Sequence, residues 1–365
     1  MKFTVDVKDF LAACVEVSKA ITNKTSFPAL MGIKLDLRDN VLTLSGYDME
    51  IGIETKLPVI SEEDGAVVTC NAKLFIAALQ KMKGEISVEV DNNNIVHIKA
   101  NRKSTVDLAG NDVESYPALP EVDYDNEISG DLLSTALNSV NFAIDENSAK
   151  EPFKGALLKI ADNTADIVGV NGCIIAKYTA GCTAKKANCI IPKAAIGSIA
   201  ALAGKNEKIK FGTTRGQLFF GTDSTKIITR VLAGDFFNYG TVEQKMTNGY
   251  TDVTIIKSAF IGALELASVL LTERERTPVV LTFRRSGVNV KMESSLGKTE
   301  ENIPCEWNGN SELKIGFNAK YMIDALKQCA GENVTFRLST AVEPTKIDDC
   351  TGYSAVVMQI RLNNK

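Results

Sequence analysis

A passage that spells strand, helix and alternating strand occurs three times in this chain, in copies roughly 120 residues apart. No other feature restricts the fold as much. In the last copy, Leu313–Asp349, a short strand is followed by Asn318-Ala319-Lys320 and a run with Tyr321, Met322, Ala325, Leu326 and Cys329 on one helical stripe. Gly331 stands where a helix end takes a residue tolerant of positive φ, and Val334, Phe336 and Leu338 then alternate with polar neighbours. Val67–Ala100 repeats this through Asn71-Ala72-Lys73, the apolar set Phe75, Ile76, Leu79 and Met82, Gly84, and the alternating Ile86, Val88 and Val90. Asn188–Thr222 does so through Pro192-Lys193-Ala194, then Ile196, Ile199, Ala200, Ala203 and Gly204, with strands after them.

A second strand-and-helix passage precedes each copy. Phe3–Ile21 places Phe10, Leu11, Cys14, Val15 and Ser18 on one face; Glu127–Ile144 places Leu132, Leu133, Ala136, Leu137 and Val140; Val253–Leu271 places Phe260, Ile261, Leu264 and Ala267. Each third therefore holds two helices followed by alternating strands, which predicts an α+β protein of three tandem domains with helices packed on antiparallel sheets. The pattern pauses at Tyr116-Pro117-Ala118-Leu119-Pro120 and again at the polar stretch Glu243–Tyr250, giving domains at 1–125, 126–248 and 249–365. Such sheets leave edge strands that must be paired or blunted, and joining edges around a closed ring is one way to do so.

At 365 residues the chain exceeds what one core usually supports, and 45% apolar with 24% charged residues is ordinary globular composition. No stretch reads as a membrane span, and Met1-Lys2-Phe3-Thr4-Val5 opens a strand in place of a signal peptide, so the expected location is cytoplasmic. Cys14, Cys70, Cys173, Cys182, Cys189, Cys305, Cys329 and Cys350 lack metal-ligand spacing and read as free thiols. His97 is the single histidine, which argues against Ser-His-Asp chemistry. Gly297-Lys298-Thr299 resembles the end of a phosphate loop, but Met292 stands where its first glycine belongs. Asp91-Asn92-Asn93-Asn94 reads as a hairpin turn, and the charge runs Glu62-Glu63-Asp64 and Glu273–Arg276 as solvated surface. The expectation is a chain with no catalytic residue, metal or cofactor. Lysines beside the helices, among them Lys24, Lys73, Lys81, Lys193, Lys320 and Lys327, admit a nucleic-acid contact within a chain of net charge −4.

With the repeat, the chain resembles the bacterial β sliding clamps, the processivity subunit of DNA polymerase III. The likeness rests on Met1–Val5, Phe27-Pro28-Ala29-Leu30, Leu42–Glu50, Tyr116-Pro117, Gly316-Phe317-Asn318 with Tyr321, and Val356–Leu362, in order along the whole length. It implies three repeats of the DNA clamp fold, a head-to-tail homodimer closed into a ring, and duplex DNA held in the hole without base readout for DNA replication. Lys24, Lys73, Lys150 and Lys193 are then the DNA-facing candidates. The dimer interface would set Arg102, Lys103, Val106 and Leu108 opposite Leu270, Leu271, Glu300 and Glu301. A partner-peptide pocket, taking polymerase III, the clamp loader and other clamp-motif proteins, would comprise Phe153, Gly155, Val170, Gly172, Ile175, Val242, Asn318, Tyr321, Val342, Val356, Val357, Met358, Arg361 and Leu362.

The chain departs from the family pattern at Val170-Asn171-Gly172-Cys173-Ile174-Ile175, where Thr-Asp-Gly-His/Tyr-Arg-Leu is usual, at Thr241 in place of an arginine, and at Phe237 in place of a proline. These changes imply a more apolar pocket wall with weaker carboxylate or carbonyl capture. The alternatives are an accessory clamp with a divergent partner set and, further off, an enzyme on a threefold α+β scaffold.

Overall fold

The computed structural model describes residues 1–22, 25–100, 104–214, 216–246, 249–271, 277–309 and 311–362. Within them one order, strand–helix–strand–strand–strand, recurs six times. The first half-repeat is β1 (Lys2–Asp6), α1 (Val7–Ser18), β2 (Lys34–Arg38), β3 (Val41–Tyr47) and β4 (Ile51–Pro58). After an added strand, β5 (Ile60–Glu63), comes β6 (Gly65–Thr69), α2 (Ala72–Leu79), β7 (Glu85–Val90), β8 (Ile95–Ala100) and β9 (Ser104–Asn111). The third is β10 (Asn126–Ser129), α3 (Gly130–Val140), β11 (Gly155–Ala161), β12 (Thr164–Val170) and β13 (Ile174–Gly181). The fourth is β14 (Ala187–Pro192), α4 (Lys193–Ala203), β15 (Lys208–Thr214), β16 (Gln217–Gly221) and β17 (Thr225–Arg230), followed by an added helix, α5 (Gly240–Lys245). The fifth is β18 (Thr251–Ile256), α6 (Lys257–Ser268), β19 (Val279–Arg284), β20 (Gly287–Ser294) and β21 (Gly297–Ile303). The sixth is β22 (Leu313–Phe317), α7 (Ala319–Gln328), β23 (Asn333–Leu338), β24 (Thr345–Asp348) and β25 (Tyr353–Val357).

Successive halves exchange their opening strands. β1 pairs with β7 and β6 with β2; β10 pairs with β15 and β14 with β11; β18 pairs with β23 and β22 with β19, all antiparallel. The exchange follows from amphipathic pattern, because a three-strand meander and the opening strand of its neighbour present one continuous apolar face to the helices. Aromatic rings fill the resulting core edge to face, as in Phe3 on Phe10 at 5.8 Å, Phe10 on Phe75 at 5.9 Å and Phe260 on Phe336 at 5.2 Å.

The residue just before each of three helices explains where it begins. Asp6, Asn71 and Asn318 each accept a backbone N–H of the first helical turn through the side chain. α6 starts after Ile256, which has no capping group; Glu332 supplies one from outside by accepting the Ser258 N–H at 3.0 Å. Helix faces differ in places from the sequence expectation. The buried stripe of α1 is Val7, Phe10, Cys14 and Val17, and Val15 is 41% exposed. α7 stops at Cys329 in an extended conformation, so Gly331 is not the left-handed cap; Gly84, with φ +74°, does take that conformation after α2. Glu243 belongs to α5 and not to a loose connection.

Packing divides the chain into two compact units, one of Met1–Ser134 with Ala194–Val231 and one of Thr135–Lys193 with Leu232–Lys365. In each, two closing strands of the repeat join edge to edge. In the first unit β17 runs antiparallel to β4, and in the second β25 runs antiparallel to β13. The closing strands β9 and β21 have no such neighbour among the described residues: β21 is a sheet edge, and β9 is bonded on its second side only near its end, where Gly110 and Asn111 meet β6 and the Ala109 carbonyl accepts the Cys70 N–H.

Candidate peptide groove, DNA-facing lysines and sheet edges

The groove candidates lie in the second unit, where register decides which side chains share a surface. Val170 is opposite Ile175, and Ile175 is opposite Val356, so three strands contribute one apolar row. Adjacent residues on a strand point to opposite faces. Val357 therefore turns away from Val356, and it is fully buried; it belongs to the core and not to this row. Beside the row, Leu157, Val168, Val170 and Ile190 form a buried cluster with Phe153, Ile175, Leu232, Phe236 and Tyr239 packed half-buried against it. Phe153 meets Phe237 edge to face at 6.4 Å, and Phe237 is 38% exposed.

Two glycines allow close approach. A side chain at Gly155 would meet Leu232 Cδ1 at 2.8 Å and the Ile191 carbonyl at 2.3 Å. One at Gly316 would meet Leu362 Cδ2 at 2.7 Å, because the segment after β25 crosses to β22 and the Ile360 N–H donates to the Gly316 carbonyl at 2.7 Å. That crossing sets Met358, 42% exposed, beside the β12–β13 hairpin, where its N–H donates to the Cys173 carbonyl at 2.9 Å. Val342, also exposed, accepts through its carbonyl from the Gln359 side-chain amide. Gly172 is exposed at the hairpin tip with φ +84°, where Asn171 Oδ1 accepts the Cys173 and Ile174 N–H groups. Asn318 is occupied in capping α7, with Tyr321 half-buried in that first turn; Arg361 is exposed and Leu362 half-buried.

A polar set fastens the covering segment to this face. Tyr239 donates to Asp166 Oδ2 at 2.8 Å, and Thr179, opposite Asp166 across the strands, donates to Oδ1 at 2.6 Å. Lys177 pairs with Glu243 at 2.7 Å and lies 5.7 Å from the Tyr239 ring centroid. Burial first, then the Asp166 bond, pushes the Tyr239 hydroxyl pKa up, so it stays a donor. Sequence reading missed Asp166, Lys177, Tyr239 and Glu243, because contacts across seventy or so residues leave no local signal. Val242, half-buried on α5, is held in place by them. Thr241 spends its hydroxyl on the Asn238 carbonyl at 2.8 Å, so this wall has no free cation at that position.

Of the lysine candidates, Lys24 lies outside the described residues. Lys73 is exposed at the start of α2. Lys150 is exposed with its ammonium 5.3 Å from the Phe153 ring centroid, which sets it beside the groove. Lys193 is half-buried and donates to the Ile144 carbonyl at 3.0 Å. Arg102 and Lys103 also lie outside the described residues. Val106 and Leu108 are half-buried on β9, Leu270 and Leu271 half-buried after α6, and Glu300 and Glu301 exposed on β21. The structure adds two strongly exposed apolar residues near them, Val269 at 74% and Leu296 at 64%. Glu300 pairs with Lys298 at 2.5 Å.

His97 Nδ1 stands 2.7 Å from Asp107 Oδ1 and Nε2 3.7 Å from Asp91, an ion-pair cluster on an exposed sheet face. Burial pushes the Cys189 and Cys329 thiols up to about 12, away from nucleophilic reactivity. Among the described residues no group of three His, Cys, Asp or Glu side chains is placed to hold a metal ion, and no helix is long and apolar enough to cross a membrane.

Comparison with known proteins gives one family throughout. The family description "DNA polymerase III beta subunit, N-terminal domain" matches residues 1–120, and its C-terminal counterpart matches residues 247–361. Beta sliding clamps of Staphylococcus aureus are 25% identical over 357 residues, covering 94% of this chain and 94% of theirs. That of Staphylococcus epidermidis is 26% identical over 377 residues, covering 99% of each. The solved DNA polymerase sliding clamp of Bacillus subtilis superposes with a TM-score of 0.92 at 23% identity, over 99% of both chains. The beta subunit from DNA polymerase of Streptococcus pyogenes gives 0.92 at 21%, over 99% of this chain and 100% of that one.

Proposed function

Because this chain belongs to the bacterial DNA polymerase III beta subunit family, we infer that it is a DNA sliding clamp: two copies close head to tail around duplex DNA and tether the polymerase. The observation that carries this reading is the pattern of strand junctions. Half one joins half four through β4 and β17, and half three joins half six through β13 and β25. By the same step of three, half five seeks half two, and among the described residues their closing strands β21 and β9 are the two that meet no other closing strand. A second copy supplies both missing partners, covering the β21 edge and the free length of β9.

The helices are read as the DNA-facing side, with Lys24, Lys73, Lys150 and Lys193 as sparse phosphate contacts. Topology, not affinity, then prevents escape, and sliding benefits from weak contact. The protein is read as cytoplasmic and as performing no bond chemistry, with domains at 1–125, 126–248 and 249–365. The row Val170, Ile175 and Val356, with Phe153, Val242, Val342, Met358 and Leu362 around it, is read as the groove for an extended partner peptide. The uncharged wall position at Thr241, its hydroxyl spent on Asn238, and the neutralised Lys177 support a preference for apolar anchors over carboxylates. This supports a partner set shifted from that of most clamps.

Retention on DNA tests the reading. Loaded by its matching loader, the protein should remain on nicked circular DNA through gel filtration and run off once the circle is cut. Equal retention on both forms would replace encirclement with ordinary adhesion.

A further inference from the structure

Two residues along β13 from Ile175, on the same face, stands Lys177. Alternation gives that face three successive levels: Val170, Ile175 and Val356; then Val168, Lys177 and Ser354; then Asp166 with Thr179. At about 3.3 Å per residue the Lys177 level lies roughly 7 Å beyond the apolar row, within the span of a peptide laid along the groove. The first joint has the same level, and there Glu54 of β4 meets Lys226 of β17 directly across it at 2.8 Å. In the second joint Ser354 stands where that second charge would be. The Lys177 ammonium therefore has to find its anion in whatever covers the face.

Glu243 is that anion. Both of its carboxylate oxygens reach the Lys177 ammonium, at 2.7 and 2.8 Å, and the Lys177 and Glu243 side chains are only 19% and 27% exposed. No residue of α5 is buried, so its placement over the face leans on this ion pair and on the Tyr239–Asp166 bond, with Met246 buried just beyond its end. The Tyr239 ring, its centroid 5.7 Å from the ammonium, holds Lys177 at this level from above.

Resting on the groove reading above, we propose that Glu243 is a specificity-determining residue: it occupies Lys177 and so turns away partner peptides that carry a carboxylate beside their apolar anchors. A peptide carboxylate arriving at this level meets an ammonium already spent, with Glu243 and Asp166 as like charges nearby. Asp166 does not take the place of Glu243 on Lys177, because its two oxygens already accept from Tyr239 at 2.8 Å and Thr179 at 2.6 Å. With Glu243 uncharged, a half-buried ammonium is left beside the apolar row without a counter-ion, and a peptide carboxylate becomes the group that pairs with it.

Paired peptides test this: identical in their apolar anchors, they carry Glu or Gln two residues from the central anchor, placed before it in one pair and after it in the other. By fluorescence anisotropy the native chain should bind the Glu peptide about three- to tenfold more weakly than the Gln peptide. Glu243→Gln keeps the shape and a hydrogen-bond acceptor for Lys177. It should leave Kd for the Gln peptide unchanged and lower the Glu-to-Gln ratio of Kd at least about fivefold in one placement. Adding Lys177→Gln should return that ratio to near its native value. A ratio that Glu243→Gln leaves unmoved in both placements, equal weakening of both peptides included, would overturn the assignment, as would a shift that survives the loss of Lys177. A Gln peptide that binds the native chain and Ile175→Asp alike would instead overturn the groove reading itself.

Discussion

The joint between β17 and β4 and the joint between β25 and β13 have the same backbone and opposite finishes. In the first unit the row at the joint is Tyr47, Gly52 and Ile228, and the connection after β9 lies over it. Leu119 from that connection occupies the space above Gly52, where a Cβ would come within 2.8 Å of its Cδ2. Tyr116 is buried with Ala29, Leu30, Tyr47 and Val68 and donates to the Ser45 carbonyl. In the second unit the corresponding row is Val170, Ile175 and Val356, and the connection after β17 leans on Lys177 and Asp166 to one side. Ile175 stays half-buried there, with exposed Phe237 and Met358 nearby. One joint is covered by its own chain, and the other keeps Ile175 half-buried beside two exposed side chains, as the groove reading requires. A structural joint can thus be uncovered by moving a connection and replacing a glycine, without altering the sheet.

Four changes would break or sharpen that contrast. Ile175→Asp puts a charge in the open row and should cost about 3 kcal/mol of peptide binding, roughly 100-fold in Kd, leaving retention on circular DNA intact; fluorescence anisotropy with a peptide bearing apolar anchors reads it. Gly52→Ile gives the sealed joint the side chain of the open one, displaces Leu119, and should lower unfolding free energy by about 2 kcal/mol with peptide affinity unchanged; denaturant titration checks it. Tyr239→Phe removes the bond to Asp166 and should weaken peptide binding by about 1 kcal/mol while hydrogen exchange quickens across α5.

The smallest effect concerns the open edge at β9. Hydrogen bonding to Asp107 holds the His97 pKa above its usual 6.5. The folded state therefore binds the proton more tightly than the unfolded chain does. Its stabilisation is complete below about pH 6.5 and fades as pH rises through the folded value. Melting temperature should fall slightly more between pH 6 and pH 8 in the native chain than in His97→Gln. Identical slopes would remove the imidazole from any role at that edge.

Periodicity exposed the repeat because every half-repeat must bury one face of a helix and of a meander. Phe10, Phe75, Leu137, Ile199, Phe260 and Met322 are all buried where their spacing places them. Val15 misled because apolar content alone does not fix which side of α1 faces the sheets; the stripe at Val7, Phe10, Cys14 and Val17 does. Strand exchange left no mark in the sequence, since an opening strand looks the same whichever meander it joins. The groove was legible only through family likeness. Its floor depends on register across β12, β13 and β25, which also moves Val357 to the other face. Lys177 and Glu243 were invisible as a pair for the same reason.

Exchange of opening strands also shapes how the chain acquires its structure as it leaves the ribosome. The opening strand of the first half in each pair emerges before the meander that will hold it, so β1 waits for β7, β10 for β15 and β18 for β23. A half released alone would expose bare backbone on a sheet edge, the kind of surface that nucleates aggregates. β5 relieves that wait at the start of the chain, since its residues Ile60, Ser61 and Glu63 give β1 a neighbour before β7 has been made. Two halves are accordingly the smallest piece in which every opening strand has its partner, and truncations that end inside a pair should be degraded where those ending between pairs survive.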